Sequence, residues 1–167
     1  MGTKIVLEAI AYTLLYTAFM LLLFKKQGAR YQLYNYPPAI QKRAIEKGIT
    51  TQAEMDANAK KNKLPGLLVM LLLCVVIVSG VNGERGFWAG FWQSYIFFNA
   101  FSLFDALVID TIWFCHSKWW VIPGTEDMAQ AYHDYAFHWK WFFIGLVSSL
   151  LLAAVCGGIT ALLGLVL

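Results

Sequence analysis

Residues 64–81 read LPGLLVMLLLCVVIVSGV, a run without a single charged side chain. A helix needs about 20 mostly apolar residues to cross roughly 30 Å of hydrocarbon, so this run sits at the short end of what spans a bilayer. Three more segments join it. Residues 5–24 carry one charge, Glu8; residues 87–114 are broken only by Asp105 and Asp110; residues 139–167 carry only Lys140. Four such runs in a chain of 167 residues that is 59% hydrophobic exclude a water-soluble domain. The expected fold class is an all-α membrane protein: a four-helix transmembrane bundle with a short cytoplasmic helical hairpin. The whole of residues 1–167 forms one integral membrane domain, with connecting loops over residues 25–63 and 115–138.

The first segment is too long for the apolar core of a signal peptide, has no A-x-A-like exit, and ends in Lys25-Lys26. It reads as a retained signal-anchor helix. Nine of the thirteen Lys and Arg fall between the first two segments, from Lys25 to Lys63. The positive-inside rule puts that loop in the cytoplasm and both termini on the other side. Trp88 and Trp92 then mark one interface, and Trp113, Trp119, Trp120, Trp139 and Trp141 the other.

Within the first loop, Pro37-Pro38 opens a short helix over residues 39–47 that Gly48 stops. Thr51-Gln52-Ala53-Glu54 fits a capping box, with a second helix running to about Lys61 and an Asp56–Lys60 pair on it. The first of these helices sets Lys42, Arg43 and Lys47 beside Ile40, Ala44 and Ile45. Such a basic amphipathic helix either binds anionic headgroups through Lys42 and Arg43 or is a solvated arm whose charges only orient the chain. Pro65 falls in the first turn of the second span, where proline is tolerated. Thr125 suits an N-cap, with Glu126 and Asp127 behind it, and the helix so begun meets no breaker before the fourth span.

Polar groups concentrate in the third span and third loop. At about 100° per residue Asn99, Ala106 and Asp110 share a line, and Ser102, Asp105, Ile109 and His116 a neighbouring stripe. Asp105 is the most informative of these. An isolated charge inside an apolar helix is costly, so such a carboxylate is partnered, wet or functional. Asp134 and His138, four residues apart, share a helix face; His133 lies about 140° round from His138 and does not join it. No single-helix metal clamp is present, and a metal site needs His116 or an aspartate of the third span to complete it. Glu8 pairs with Lys4 one turn away. In the fourth span Gly145, Ser149, Ala153, Gly157 and Ala161 recur every fourth residue, the spacing of a tightly packed helix face. Gly86 and Gly90 repeat that spacing at the start of the third. Cys74, Cys115 and Cys156 form no disulfide framework and read as reduced packing residues.

Several classes are excluded. No nucleotide-binding glycine motif and no C-x-x-C occurs, no histidine lies mid-span to hold haem, and no two halves of the chain look alike. Nothing points to nucleic acid. The reading left is a ligand- or ion-binding membrane protein, or an enzyme acting on a lipid or other amphiphile, with its pocket at the cytoplasmic interface. His116, Asp134 and His138 are the candidate catalytic groups. Asn99, Ser102, Asp105, Asp110, Trp119 and Trp120 are the candidate ligand contacts. The rivals are an accessory or scaffold subunit packed on a partner membrane protein, and a homo-oligomeric transporter or channel. The charge bias makes one prediction. Single cysteines placed in residues 40–60 and 120–130 should react with a membrane-impermeant maleimide only from the cytoplasmic side. Labelling of either loop on intact cells overturns the orientation.

Overall fold

The computed structural model describes residues 2–166, all of whose regular structure is helical. Helix α1 is Gly2–Gln27. A 3-10 turn, Ala29–Asn35, leads to α2, Pro38–Glu46. Helix α3 runs over Gln52–Val75 and continues as π-helix over Val76–Val81. Helix α4, Phe87–Phe104, likewise passes into a π-helix, Asp105–Phe114. A 3-10 turn at Lys118–Trp120 and the single turn α5, Ala129–Tyr132, precede α6, Tyr135–Val166. Four stretches are long and apolar enough to cross a membrane: Gly2–Gln27, Gln52–Val81, Phe87–Phe114 and Ala129–Val166. The end of the fourth expected span, Leu167, lies outside the described residues.

The capping box at Thr51 forms as its sequence requires. Thr51 Oγ1 accepts from the Glu54 amide at 3.2 Å, and Glu54 Oε2 accepts from the Thr51 amide at 3.1 Å. The helix it starts does not end near Lys61. It runs unbroken into the second apolar segment, so Pro65 stands inside a helix and not in a first turn. Proline there removes the bond to the carbonyl four residues back. Lys61, Lys63 and Leu64 beside it are exposed. The Asp56–Lys60 pair gives way to another four-residue contact, Gln52 Nε2 to Asp56 Oδ1 at 2.9 Å.

The tightest packing is between α4 and α6. A Cβ at Gly157 would lie 2.8 Å from the carbonyl oxygen of Phe87, and one at Gly90 2.7 Å from the Cβ of Thr160. The four-spaced ladder of α6 is this contact. Gly145 faces Ser102, Ser149 shares a hydrogen bond with Asn99, Ala153 is fully buried, and Gly157 meets the start of α4. Small residues let two backbones approach closely, so that dispersion contacts accumulate along the seam. On the other side, Tyr12 and Tyr16 of α1 donate to the carbonyls of Met70 and Gly66 of α3, each at 3.2 Å. Glu8 keeps its contact with Lys4 at 3.6 Å and also accepts from Asn82 Nδ2 at 3.0 Å.

The two long loops pack on each other. Leu33, Tyr36, Ile40, Met55, Trp120, Ile122 and Tyr132 form a buried cluster with Phe114, separate from the cluster between the apolar helices around Tyr12, Phe97 and Ala153. The third loop departs from expectation here. Thr125 is fully buried, and its hydroxyl bonds the Ile122 carbonyl at 2.8 Å and Tyr132 Oη at 2.7 Å, so it caps no helix. The chain breaks again after α5, and Asp134 becomes the cap of α6 by accepting from the Phe137 amide at 3.0 Å. Glu126 folds back on the Gly124 amide, and that hydrogen bond holds its carboxyl below the ordinary range.

The helix contact is testable. Gly157→Leu drives a side chain into backbone and should lower stability by about 1–3 kcal/mol or more. Leu151→Val, on a face 73% exposed, should change it little. Thermal unfolding of the two purified variants in detergent decides; equal midpoints would refute the contact.

Candidate functional site

Where α4 passes into its π-helix, the i→i+5 turn changes the phase of the side chains that follow. Thr111 Oγ1 reaches back five residues to the Ala106 carbonyl at 2.7 Å, within the widened turn. The effect on the polar residues is direct. Asp105 and Asp110, five apart, would point well away from each other on an α-helix. Here both line one cavity of about 600 Å³. It lies at the loop end of the helices, bounded by the last turns of α1, the middle of α3, the π segment of α4 and the first turns of α6. The packed loops close it with Gln32, Tyr36 and Trp120.

Its polar centre is an ion-pair-like contact between α4 and α6. His138 Nδ1 stands 3.1 Å from Asp110 Oδ2, with the histidine side chain 5% and the aspartate 26% exposed. A carboxylate accepting at Nδ1 fixes the ring and leaves Nε2 of a neutral imidazole as a lone pair. Nε2 of His138 is buried and has no partner, and so is Nε1 of Trp120 and Oγ1 of Thr17. All three residues line the same cavity. Buried polar atoms are normally satisfied, and each orphan costs about 1–3 kcal/mol. Asp105 also lines the cavity, and among the described residues no basic side chain forms a salt bridge with it.

An amide cluster borders the cavity on the side of the first loop. Gln27 and Asn62 exchange hydrogen bonds at 3.0 Å, Gln32 Nε2 donates to Gln27 Oε1 at 2.8 Å, and Tyr34 Oη donates to Gln32 Oε1 at 2.9 Å. This ties the end of α1 to α3 and fixes the wall. Behind it Tyr36 donates to the Trp120 carbonyl at 2.8 Å, and burial pushes the Tyr36 hydroxyl pKa upward.

Of the residues singled out from sequence, Asp105, Asp110, Trp120 and His138 come together. The rest do not. Asn99 bonds Tyr95 O at 2.6 Å and Ser149 at 3.2 Å, and Ser102 packs against Gly145, so both serve the α4–α6 contact. Asp134 does not touch His138 in the manner its spacing suggests, because it is spent on the Phe137 amide. His116 is exposed, 3.2 Å from Tyr135 Oη, with its ring 5.1 Å from that of His133. Trp119 is exposed and stacks on Trp113 at 5.5 Å. No group of three or more His, Cys, Asp or Glu is placed to hold a metal among the described residues. Thr17, Gln32, Tyr36 and Asn62 went unremarked from the sequence. Tyr12, Thr13, Tyr16 and Thr17 do form a helical polar stripe on the first segment, which is the signal that marks α1 as a wall.

No protein-family model matches the chain, and neither the curated proteins nor the solved structures compared with it give a match. The site therefore rests on its own geometry. Asp110→Ala should leave His138 buried without a partner and lower stability by about 1–3 kcal/mol, with Asp110→Asn losing less. Unfolding of the two variants in detergent measures this. Equal stability of Asp110→Ala and the parent chain would show that the pair contributes nothing.

Proposed function

We propose that this chain is an integral membrane protein that binds an amphiphile in the cavity between α1, α3, α4 and α6. The four apolar helices would form a transmembrane bundle with both termini outside, which puts the cavity in the cytoplasmic half of the bilayer. The observation that carries the reading is His138. It is buried, held by Asp110, and lines with both aspartates a space large enough for a small ligand, while its own Nε2 is buried without a partner. Apolar side chains from Met20, Leu67, Met70, Phe101 and Ile109 line the rest of that space. A wall of that composition suits an alkyl or prenyl tail, and the Asp110–His138 end suits its head.

The same pair fits a catalytic version of the reading. Nε2 would accept a proton from a hydroxyl on the bound amphiphile while Asp110 holds the imidazolium. On this reading His116 and Asp134 have no catalytic part. The basic face of α2 contributes less to headgroup binding than its sequence suggests. Arg43 Nη1 is 2.9 Å from Asp127 Oδ2, and Lys42 lies 3.9 Å from Glu46. The hydrogen bond from Arg43 holds the Asp127 carboxyl below its ordinary range. Stabilisation from this pair is present above the ordinary aspartate pKa of about 4 and fades as the pH falls below it.

A photoreactive decanol bearing a diazirine on its tail tests the site on the purified chain in maltoside detergent. Adducts should map to Met70, Phe101 and Ile109, saturate, and fall with excess plain decanol. Ile109→Trp, which fills the cavity, should abolish them. Adducts confined to outward residues such as Leu68, Val147 and Leu151, whatever the decanol added, would overturn the reading.

A further inference from the structure

The charge of the cavity wall narrows the ligand. Two carboxylates, Asp105 and Asp110, face the space, against one lysine, Lys63, which is exposed and has its Nζ 5.5 Å from the ring centroid of Tyr34. His138 is already engaged by Asp110 through Nδ1, so its remaining polar demand is for a donor at Nε2. Aromatic rings gather at this end: Phe114 and Phe137 lie with ring centroids 4.9 and 5.3 Å from that of His138, and Trp120 and Trp141 also line the cavity. Carboxylates together with aromatic rings form the environment in which an ammonium group is recognised, by Coulomb attraction and by the negative faces of the rings. A phosphate or carboxylate head at the same place would stand beside two aspartates, with no buried Lys or Arg among the described residues lining the cavity, and like charges in a desolvated site repel strongly.

Resting on the amphiphile-binding reading above, we propose that the head group this cavity takes is cationic: a single-chain amine or ammonium amphiphile, its nitrogen between Asp105 and Asp110. A primary or tertiary ammonium N–H would also donate hydrogen bonds to those carboxylates. Its tail would lie along Met20, Leu67 and Met70. The arrangement carries its own selectivity. The apolar part accepts any chain of suitable length, so discrimination among ligands comes from the charge at one end.

The test uses the diazirine decanol labelling in competition, with three ligands that share one tail: decyltrimethylammonium, decylamine and decyl sulfate. The two cations should suppress cavity adducts at concentrations at least about tenfold lower than decyl sulfate, a difference well within what an ion pair out of water supplies. Decylamine should compete at least as well as the quaternary compound, because only it can donate hydrogen bonds to the carboxylates. Asp105→Asn with Asp110→Asn should bring the cations and decyl sulfate to within about threefold, and the ranking on the unaltered chain stands as the primary readout where that variant does not fold. Decyl sulfate competing as well as or better than the cations would overturn the head-group assignment while leaving the amphiphile site intact. Absence of saturable cavity labelling by decanol itself is the separate result that removes the site.

Discussion

The close contact of α4 with α6 is the constraint from which the site follows. On the membrane reading there is no hydrophobic drive between helices in hydrocarbon, so two of them stay together only where their surfaces interlock. Gly90 and Gly157 let the backbones touch at one end. The Asn99–Ser149 bond and the Ser102–Gly145 contact continue the seam. At the other end the seam reaches Asp110 and His138, and their contact closes it with a polar pair in place of small residues. Had α4 stayed an α-helix past Phe104, Asp105 and Asp110 would not share a side. The π segment that interrupts its regularity is what gathers the two carboxylates onto one wall.

The cavity follows from what the seam leaves unfilled. Tyr12 and Tyr16 hold α1 to α3 by hydrogen bonds to main-chain carbonyls, a contact that needs no intimate packing of the whole face. Beyond Tyr16, toward the loop end, α1 and α3 are joined by the Gln27–Asn62 pair. Between these two tie points Thr17, Met20 and Phe24 line open space. Thr17, Trp120 and His138, each with a buried polar atom that has no partner, are among the residues lining that space. On the amphiphile-binding reading, a wall that is mostly apolar and carries Asp105, Asp110 and His138 suits a tail that ends in a polar head.

Much of the helical plan was legible in the sequence, because length without charge is a direct consequence of bilayer thickness. The capping box, the glycine stop at residue 48 and the small-residue ladder were also readable, since each depends on local chemistry. Failures came where a local rule met a tertiary one. Thr125 has the chemistry of an N-cap, yet Ile122 and Tyr132 recruit its hydroxyl. Asp134 and His138 have the spacing of a pair, yet each finds a better partner, one in a backbone amide and the other across the helix seam. The phase of the third span was drawn at an α-helical pitch, which no composition signal corrected, and so Asp105 and Asp110 fell on different stripes. Asp105, Asp110, Trp120 and His138 are legible as polar or aromatic residues at the end of an apolar span, whereas Gln32 and Tyr36 reach the wall only because the first loop packs on the third.

That second cluster, made of the two loops, has a consequence for how the molecule resists its surroundings. On the membrane reading, the core around Tyr36, Met55 and Trp120 is held by exclusion of water, while the core around Tyr12, Phe97 and Ala153 sits in a solvent as oily as itself. One chain then has two cores that answer to different agents. Urea and cold weaken the first and leave the second nearly untouched, whereas a change of acyl-chain length acts on the second alone. Trp120 and Phe114 are shared between the loop cluster and the cavity wall, so the lining of an apolar chamber is tuned by a cap that responds to water.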